Sequence, residues 1–251
     1  MRTYEDTVSR ELRQWQIKMQ KPPSLGNKVA KNVQTRLNRL IPDKVHQAVT
    51  ATIKQMTRAV LFGSEFTTRK KEQYRSLAMR EAVVKERINF YKKTGAVEGG
   101  VTGAGGFWLA MADFPILLGI KMKMLFEIAS HYGHDVEDYR ERLYILHIFQ
   151  LAFSSQERRK EVYQQMVGWD KKCAELPPDI DQFDWYQFQQ EYRDYIDLAK
   201  MAQLLPGVGA AVGLVVNYRL IQRLGETAMY AYRMRLADRA LLPATPSLPE
   251  H

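Results

Sequence analysis

The sequence predicts an all-α protein: a multi-helix bundle with negligible sheet, in which two glycine-rich apolar segments form helical hairpins. Three observations predict it. Apolar residues recur at steps of three and four along most of the chain, the spacing that lines one face of a helix. No Asn-Gly or Asp-Gly pair separates two alternating runs, so the strongest hairpin-strand signal is missing. Proline and glycine punctuate the apolar stripes at the points where helices would stop.

Tyr4, Val8, Leu12, Trp15 and Met19 make the first stripe, stopped by Pro22-Pro23. Leu25, Val29, Val33, Leu37 and Leu40 make a second, ended by Pro42. A third helix is expected from Asp43 to Leu61, broken at Gly63-Ser64, and a highly charged fourth from about Thr67 to Lys93, ended by Gly95. Asp113 reads as the N-cap of the next helix, with Pro115 in its first turn, where a missing N–H costs nothing. That helix would close at Gly133 as a left-handed C-terminal cap. A helix from about Glu137 to Ala152 holds Leu143 to Phe149, apolar on nearly all sides and therefore central. Ser154-Ser155-Gln156-Glu157 reads as a capping box. Asp184 is placed to cap a helix from Trp185 to Leu204, and the last helix follows Pro206-Gly207 to about Leu241. The aromatic run Phe183, Trp185, Tyr186, Phe188, Tyr192 and Tyr195 fits a core face or an interface. No clean domain boundary is marked. The organisation expected is a basic N-terminal helical arm over 1–42, a helical domain over 43–241 and a disordered, proline-containing tail over 242–251.

The formal charge of +9 conceals an asymmetry. Residues 1–95 hold 21 Lys and Arg against 8 Asp and Glu, a net of +13, and the remainder nets −4. A basic third of this size fits an anionic membrane surface or nucleic acid; a solvated helical surface is the alternative. Lys18, Lys21, Lys28, Lys31, Arg36 and Arg39 are the candidate membrane-surface contacts. Few aromatics lie among the basic residues and no recognition motif is present, so nucleic acid ranks below membrane. The single cysteine, Cys173, excludes an intramolecular disulfide and suits a reducing compartment. The first ten residues carry charge and no apolar run, so a cleaved signal peptide is not expected.

The two glycine-rich segments are Gly99 to Ile120, interrupted by Asp113, and Met201 to Tyr218. Neither supplies the roughly 20 uninterrupted apolar residues that a spanning helix needs. Gly99, Gly103, Gly209 and Gly213 fall at four-residue spacing, which lets helix backbones approach closely. Each glycine in a helix costs roughly 1 kcal/mol relative to alanine, so close packing must offset it. The choice lies between a tight hairpin in a folded core and a hairpin entering one leaflet.

At these segments the sequence resembles the EcsC family. The resemblance rests on Glu98-Gly-Gly-Val-Thr-Gly-Ala-Gly-Gly-Phe-Trp-Leu-Ala-Met-Ala-Asp-Phe-Pro115, on Glu127-Ile-Ala-Ser-His-Tyr-Gly-His-Asp135 with Glu141-Arg142-Leu143-Tyr144-Ile145-Leu146, and on Leu205-Pro-Gly-Val-Gly-Ala-Ala-Val-Gly213 with Asn217. It spans about residues 45–240 and leaves the basic arm outside. It implies a bacterial protein on the membrane side of the cell, since founding relatives are encoded beside an ABC transporter linked to secretion. It supplies no catalytic residues.

No chemical constellation reaches the strength of that resemblance. A P-loop is absent, and Gly207-Val-Gly209 lacks both the third glycine and a preceding strand for a dinucleotide fingerprint. His131, His134, Asp135 and Glu127 form the best metal candidate, but Gly133 would end the helix between the histidines, and cap and loop roles suit them better. His147, on an apolar face, reads as a hydrogen-bonded core histidine. Lys171 and Lys172 stand where they would lower the pKa of Cys173, with no orienting base. The reading is therefore a non-enzymatic accessory protein, cofactor-free, peripheral on the cytoplasmic face of the cell membrane, with anionic lipid and a membrane protein such as a transporter as partners. A nucleic-acid-binding protein and a lipid-acting enzyme are the rivals.

Overall fold

The computed structural model describes residues 3–22, 43–63, 74–103, 106–184, 186, 188 and 210–243. Among them, eight α-helices and one 3-10 turn are found and no strand. The helices are α1 Tyr4–Gln20, α2 Asp43–Phe62, α3 Leu77–Gly103, α4 Gly106–His131, α5 Tyr139–Phe153, α6 Gln156–Met166, α7 Trp169–Glu175 and α8 Ala210–Asp238. The fold is an all-α bundle.

α5 is the centre. Every residue from Glu141 to Phe153 is buried, as its all-round apolar run predicts. The long pair α3 and α8 runs antiparallel beside it: Glu81 meets Arg233, Ile88 meets Gly225 and Lys92 meets Gln222. α4 packs on α3, and α2 on α4 and α5. α1 lies against α3, α6 and α8, and buries Val8, Leu12 and Met19 in the same core. The half of the expected arm that is described is thus built into the body; residues 23–42 lie outside the described residues. At the other end, Leu242, the first residue of the expected tail, is buried in the core, and 244–251 lie outside the described residues.

Helix ends follow local chemistry. Thr3 caps α1 in a capping box, with Asp6 N donating to Thr3 Oγ1 (3.2 Å) and Thr3 N to Asp6 Oδ2 (2.9 Å). Gly133 has φ +86° and closes α4 as expected: its N–H donates to Ser130 O (3.0 Å) and that of His134 to Ala129 O (3.1 Å). The cap of α6 is Ser155, bonded to Arg158 N; the expected box from Ser154 to Glu157 is displaced by one residue and lacks its reciprocal acid.

Three boundaries differ from expectation. α3 starts at Leu77 rather than at about Thr67, and Ser76 Oγ accepts there from Met79 N (3.2 Å). α3 continues through Gly95 to Gly103, although Gly95, Gly99 and Gly100 each cost roughly 1 kcal/mol of helix propensity relative to alanine. α4 starts at Gly106, so Asp113 is not an N-cap but lies within the helix, its side chain outside the described residues. Pro115 removes one backbone hydrogen bond there, yet Phe114, Leu117 and Leu118 are buried around it and hold the helix through the proline. No helix therefore begins at Asp113-Phe114-Pro115: α3 ends at Gly103 and α4 begins at Gly106, with 104–105 outside the described residues.

Candidate functional site

α8 organises the polar interior. Arg233 and Arg235 stand two residues apart, about 200° around a helix, so they point to opposite sides. On one side Glu81 of α3, fully buried, accepts from Arg233 Nε (2.7 Å) and Nη2 (2.5 Å), from Tyr4 Oη (2.5 Å) and from Tyr132 Oη (2.8 Å). Arg233 Nη1 also reaches Glu11 of α1 (3.0 Å). Burial alone would raise the Glu81 pKa, but the bonds and charge of Arg233 and the two hydroxyls outweigh it and hold it below the usual value. Burial and the Glu81 bond push the Tyr4 hydroxyl up to about 12.

On the other side Glu141 of α5 accepts from Arg235 Nη1 (2.6 Å) and Tyr232 Oη (2.7 Å), with His134 Nδ1 at 3.3 Å. Arg235 also bonds Asp170 of α7 through Nε (2.9 Å) and Nη2 (2.6 Å). Each oxygen of both carboxylates accepts from at least one side-chain donor, an arrangement that suits structural nodes.

A cleft of about 620 Å³ opens between α1 and α8, with α5 and α6 at its base and side. Its wall is a stacked pair, Trp15 on Tyr230, with centroids 5.3 Å apart and planes 11° from parallel. The Arg233 guanidinium carbon lies 5.1 Å from the Tyr230 centroid, tying this wall to the buried node. Met19 and Leu151 supply apolar surface, and Lys18, Arg159 and Arg223 supply positive charge. Of the lining acids, Glu11 is engaged by Arg233, and Glu226 accepts from Gln222. Burial, and then the nearby Arg223 charge, lower the Arg159 pKa.

The metal candidates do not converge. His131 Nδ1 lies 2.6 Å from Tyr74 Oη, Glu127 takes Arg87 Nε at 2.7 Å, and His134 turns to Glu141. Asp135 bonds the Glu137 N–H (3.0 Å). His147 is buried with Nδ1 3.1 Å from Gln150 Oε1, and burial pushes it down to about 4. The expected lowering at Cys173 does not occur: burial raises its thiol to about 11, and Lys172 Nζ donates instead to the Gln164 and Gln165 carbonyls. Lys18 and Lys21 are exposed at the end of α1; Lys28, Lys31, Arg36 and Arg39 lie outside the described residues. Gly99, Gly103 and Gly213 lie in helical backbone, and Gly209 is outside the described residues. Among the described helices, none is long and apolar enough to cross a membrane.

The model of the EcsC protein family matches residues 6–236. The chain belongs to the EcsC family. It is similar to Protein EcsC of Bacillus subtilis (strain 168), 43% identical over 235 residues that cover 93% of this chain and 97% of that one. It is also similar to the Uncharacterized protein YdbA of the same strain, 28% identical over 155 residues that cover 62% of this chain and 56% of that one. No solved structure matches. The EcsC match starts at residue 6, so it includes α1, which the motif-based resemblance left out. It also takes in Asn217, whose Oδ1 accepts from the fully buried Lys121 Nζ (2.8 Å). The cleft escaped sequence reasoning because its cations come from three separate helices; the only local signal was Arg158-Arg159-Lys160 near the positive end of α6, where the helix dipole disfavours cations.

Proposed function

We propose that this EcsC-family chain is a non-enzymatic accessory protein held peripherally on the anionic cytoplasmic face of the cell membrane, where it serves a membrane protein such as a transporter. The observation that carries the reading is the +13 net charge of residues 1–95. The docking of α1 into the body supports it: the exposed Lys18 and Lys21 sit at the end of a fixed helix, close in sequence to Lys28, Lys31, Arg36 and Arg39. Each basic residue at such a surface contributes about 1 kcal/mol, less as salt rises. The transporter as partner rests on the gene neighbourhood that the family resemblance implies.

Cosedimentation with phosphatidylcholine vesicles, with and without phosphatidylglycerol, tests the reading. The parent chain is expected to pellet only with the anionic vesicles. Reversing Lys21, Lys28, Lys31 and Arg36 to glutamate should release it. Unchanged pelleting of the reversed chain would show that these residues are a solvated surface. Retention on duplex DNA, without retention on vesicles, would move the basic third to nucleic acid.

A further inference from the structure

We propose that the glycine-rich end of the bundle, where the last turns of α3 and the first turns of α4 and α8 come together, sinks to a shallow depth into the surface of an anionic bilayer. The proposal rests on the peripheral reading and adds to it an orientation and a depth. Contacts along the helices bring these ends together. Arg87 of α3 bonds Glu127 of α4 (2.7 Å), and Lys92 of α3 bonds Gln222 of α8. Glu81, further back on α3, meets Tyr132 of α4 and Arg233 of α8. α3 is thus antiparallel to both partners, and its C-terminal end lies beside their N-terminal ends. α1 points the same way: Glu11 meets Arg233, Trp15 meets Tyr230, and Lys18 shares the cleft with Arg223. The exposed Lys18 and Lys21 therefore finish on the side of this end.

Phe90 of α3, Ile116 of α4 and Tyr218 of α8 are large apolar side chains, yet they are 50%, 58% and 42% exposed. A cation stands over each ring: the Arg87 guanidinium carbon is 4.6 Å from the Phe90 centroid, and Lys92 Nζ is 4.6 Å from that of Tyr218. Lys93 and Arg219 are exposed close by. Rings flanked by Lys and Arg make up the belt of a membrane interface, where the rings lie among headgroups and the long stems keep their charge in water. Charge selects the occupant. Residues 88–97, 114–126 and 210–222 hold Lys92, Lys93, Lys121, Lys123 and Arg219 and no Asp or Glu. That excess attracts anionic lipid and repels a second copy set end to end. The sequence also limits the depth. After Glu98 in α3 and before Asp113 in α4, the helices carry no charge over 99–103 and 106–112. At 1.5 Å per residue these stretches measure about 7 and 10 Å. That matches the roughly 5–10 Å to which interfacial helices sink and falls far short of the roughly 30 Å hydrocarbon core.

The test labels the full chain, carrying Cys173→Ser, with an environment-sensitive nitrobenzoxadiazole at Ile116→Cys, Tyr218→Cys or Met79→Cys. Met79 is 54% exposed and lies about 16 Å back along α3 from Phe90, so it serves as the control. Emission is read with phosphatidylcholine–phosphatidylglycerol vesicles, with and without nitroxide-labelled lipid. On the bound chain, the labels at 116 and 218 should shift to shorter wavelength and be quenched by the nitroxide, while the label at 79 keeps its aqueous emission. Ile116→Glu should weaken vesicle binding roughly tenfold and, at an exposed position, melt with the parent. Aqueous emission at 116 and 218 on a chain that pellets overturns the insertion and leaves the peripheral reading standing. An equal shift at 79 overturns the orientation. Short-wavelength emission at 116 and 218 before vesicles are added shows that protein already covers this end, and overturns the proposal as well. If the parent chain does not pellet, the peripheral reading falls and the insertion falls with it. If the chain reversed at Lys21, Lys28, Lys31 and Arg36 still pellets with both labels inserted, the glycine-rich end stands as the docking surface and the arm does not.

Discussion

Glu81 and Arg233 make each other's burial possible. Removing one leaves the other charged in the interior, which costs about 3–5 kcal/mol, whereas replacing both with apolar groups of similar volume is often neutral. Glu81→Ala is therefore expected to lower the thermal midpoint by many degrees, and Glu81→Leu with Arg233→Met to recover most of the loss. A double variant no better than the single would show that the tyrosine hydroxyls around Glu81, not the ion pair, dominate the node. His147 has a different signature. Burial holds its pKa at about 4, against an ordinary 6.5, so the unfolded chain binds the extra proton first. Its neutral form contributes stability in full above about pH 6.5, and that contribution is lost as pH falls towards 4, up to about 3 kcal/mol. His147→Gln should flatten the stability profile across that window, as followed by urea midpoints at stepped pH; an unchanged slope would remove His147 as the cause. The role of His147 was legible because its neighbours on α5 announce a core helix. The Glu81 node was not: its partner lies 152 residues away, and nothing local marks either residue as paired.

At the scale of the element, the helices were legible from periodicity and the close approaches only in part. The four-residue glycine spacing pointed to helix contacts, but the contact the structure describes is at Gly225. A Cβ there would meet Ile88 Cγ1, Cδ1 and Cγ2 at 2.7, 2.8 and 2.9 Å. Ile88 is buried and branched at Cβ, so it yields only by leaving its rotamer or by parting α3 from α8. Gly225→Ala gains about 1 kcal/mol of helix propensity and loses about 1–3 kcal/mol to overpacking. A net fall in melting temperature is expected, relieved when Ile88→Ala is added; additive losses in the double variant would deny the contact. Sequence reading missed Gly225 because a lone glycine in a polar stretch carries no spacing signal. The same α3–α8 register ranks the other glycines. Gly99 follows Ile88 by three turns plus about 20°, which puts it on the α8-facing side, whereas Gly213 is about 120° around α8 from Gly225. Gly99→Leu should therefore destabilise more than Gly213→Leu in thermal melts, and equal losses would show that the register does not continue to the glycine-rich ends.

At the scale of the whole molecule, the decisive relation is between α1 and the rest. A basic segment before two prolines reads as a detachable arm, and charge alone supports that. The apolar stripe on the same helix supports the opposite, and in the structure the stripe wins: Val8, Leu12 and Met19 enter the core, and Tyr4 and Glu11 reach the Glu81–Arg233 node. Each buried apolar side chain contributes roughly 1.5–3 kcal/mol, offset in large part by the entropy of ordering the helix. Deleting residues 1–21 does more than forfeit that difference. It exposes the apolar faces of α3, α6 and α8 that α1 covers, strips the Tyr4 donor and the Glu11 acceptor from the buried Glu81–Arg233 node, and removes the Trp15 wall of the cleft. Against a total stability of about 5–15 kcal/mol, the truncated chain should melt far lower and bind a hydrophobic dye before it melts. If Lys21, Lys28, Lys31 and Arg36 serve only a surface, reversing them should leave the melting temperature within a degree or two, because surface charges contribute little to folding. A truncation that melts with the parent would make α1 a separable arm after all. A truncation that unfolds while the charge-reversed chain does not would divide the basic third into a helix that builds the fold and a segment free to meet a membrane.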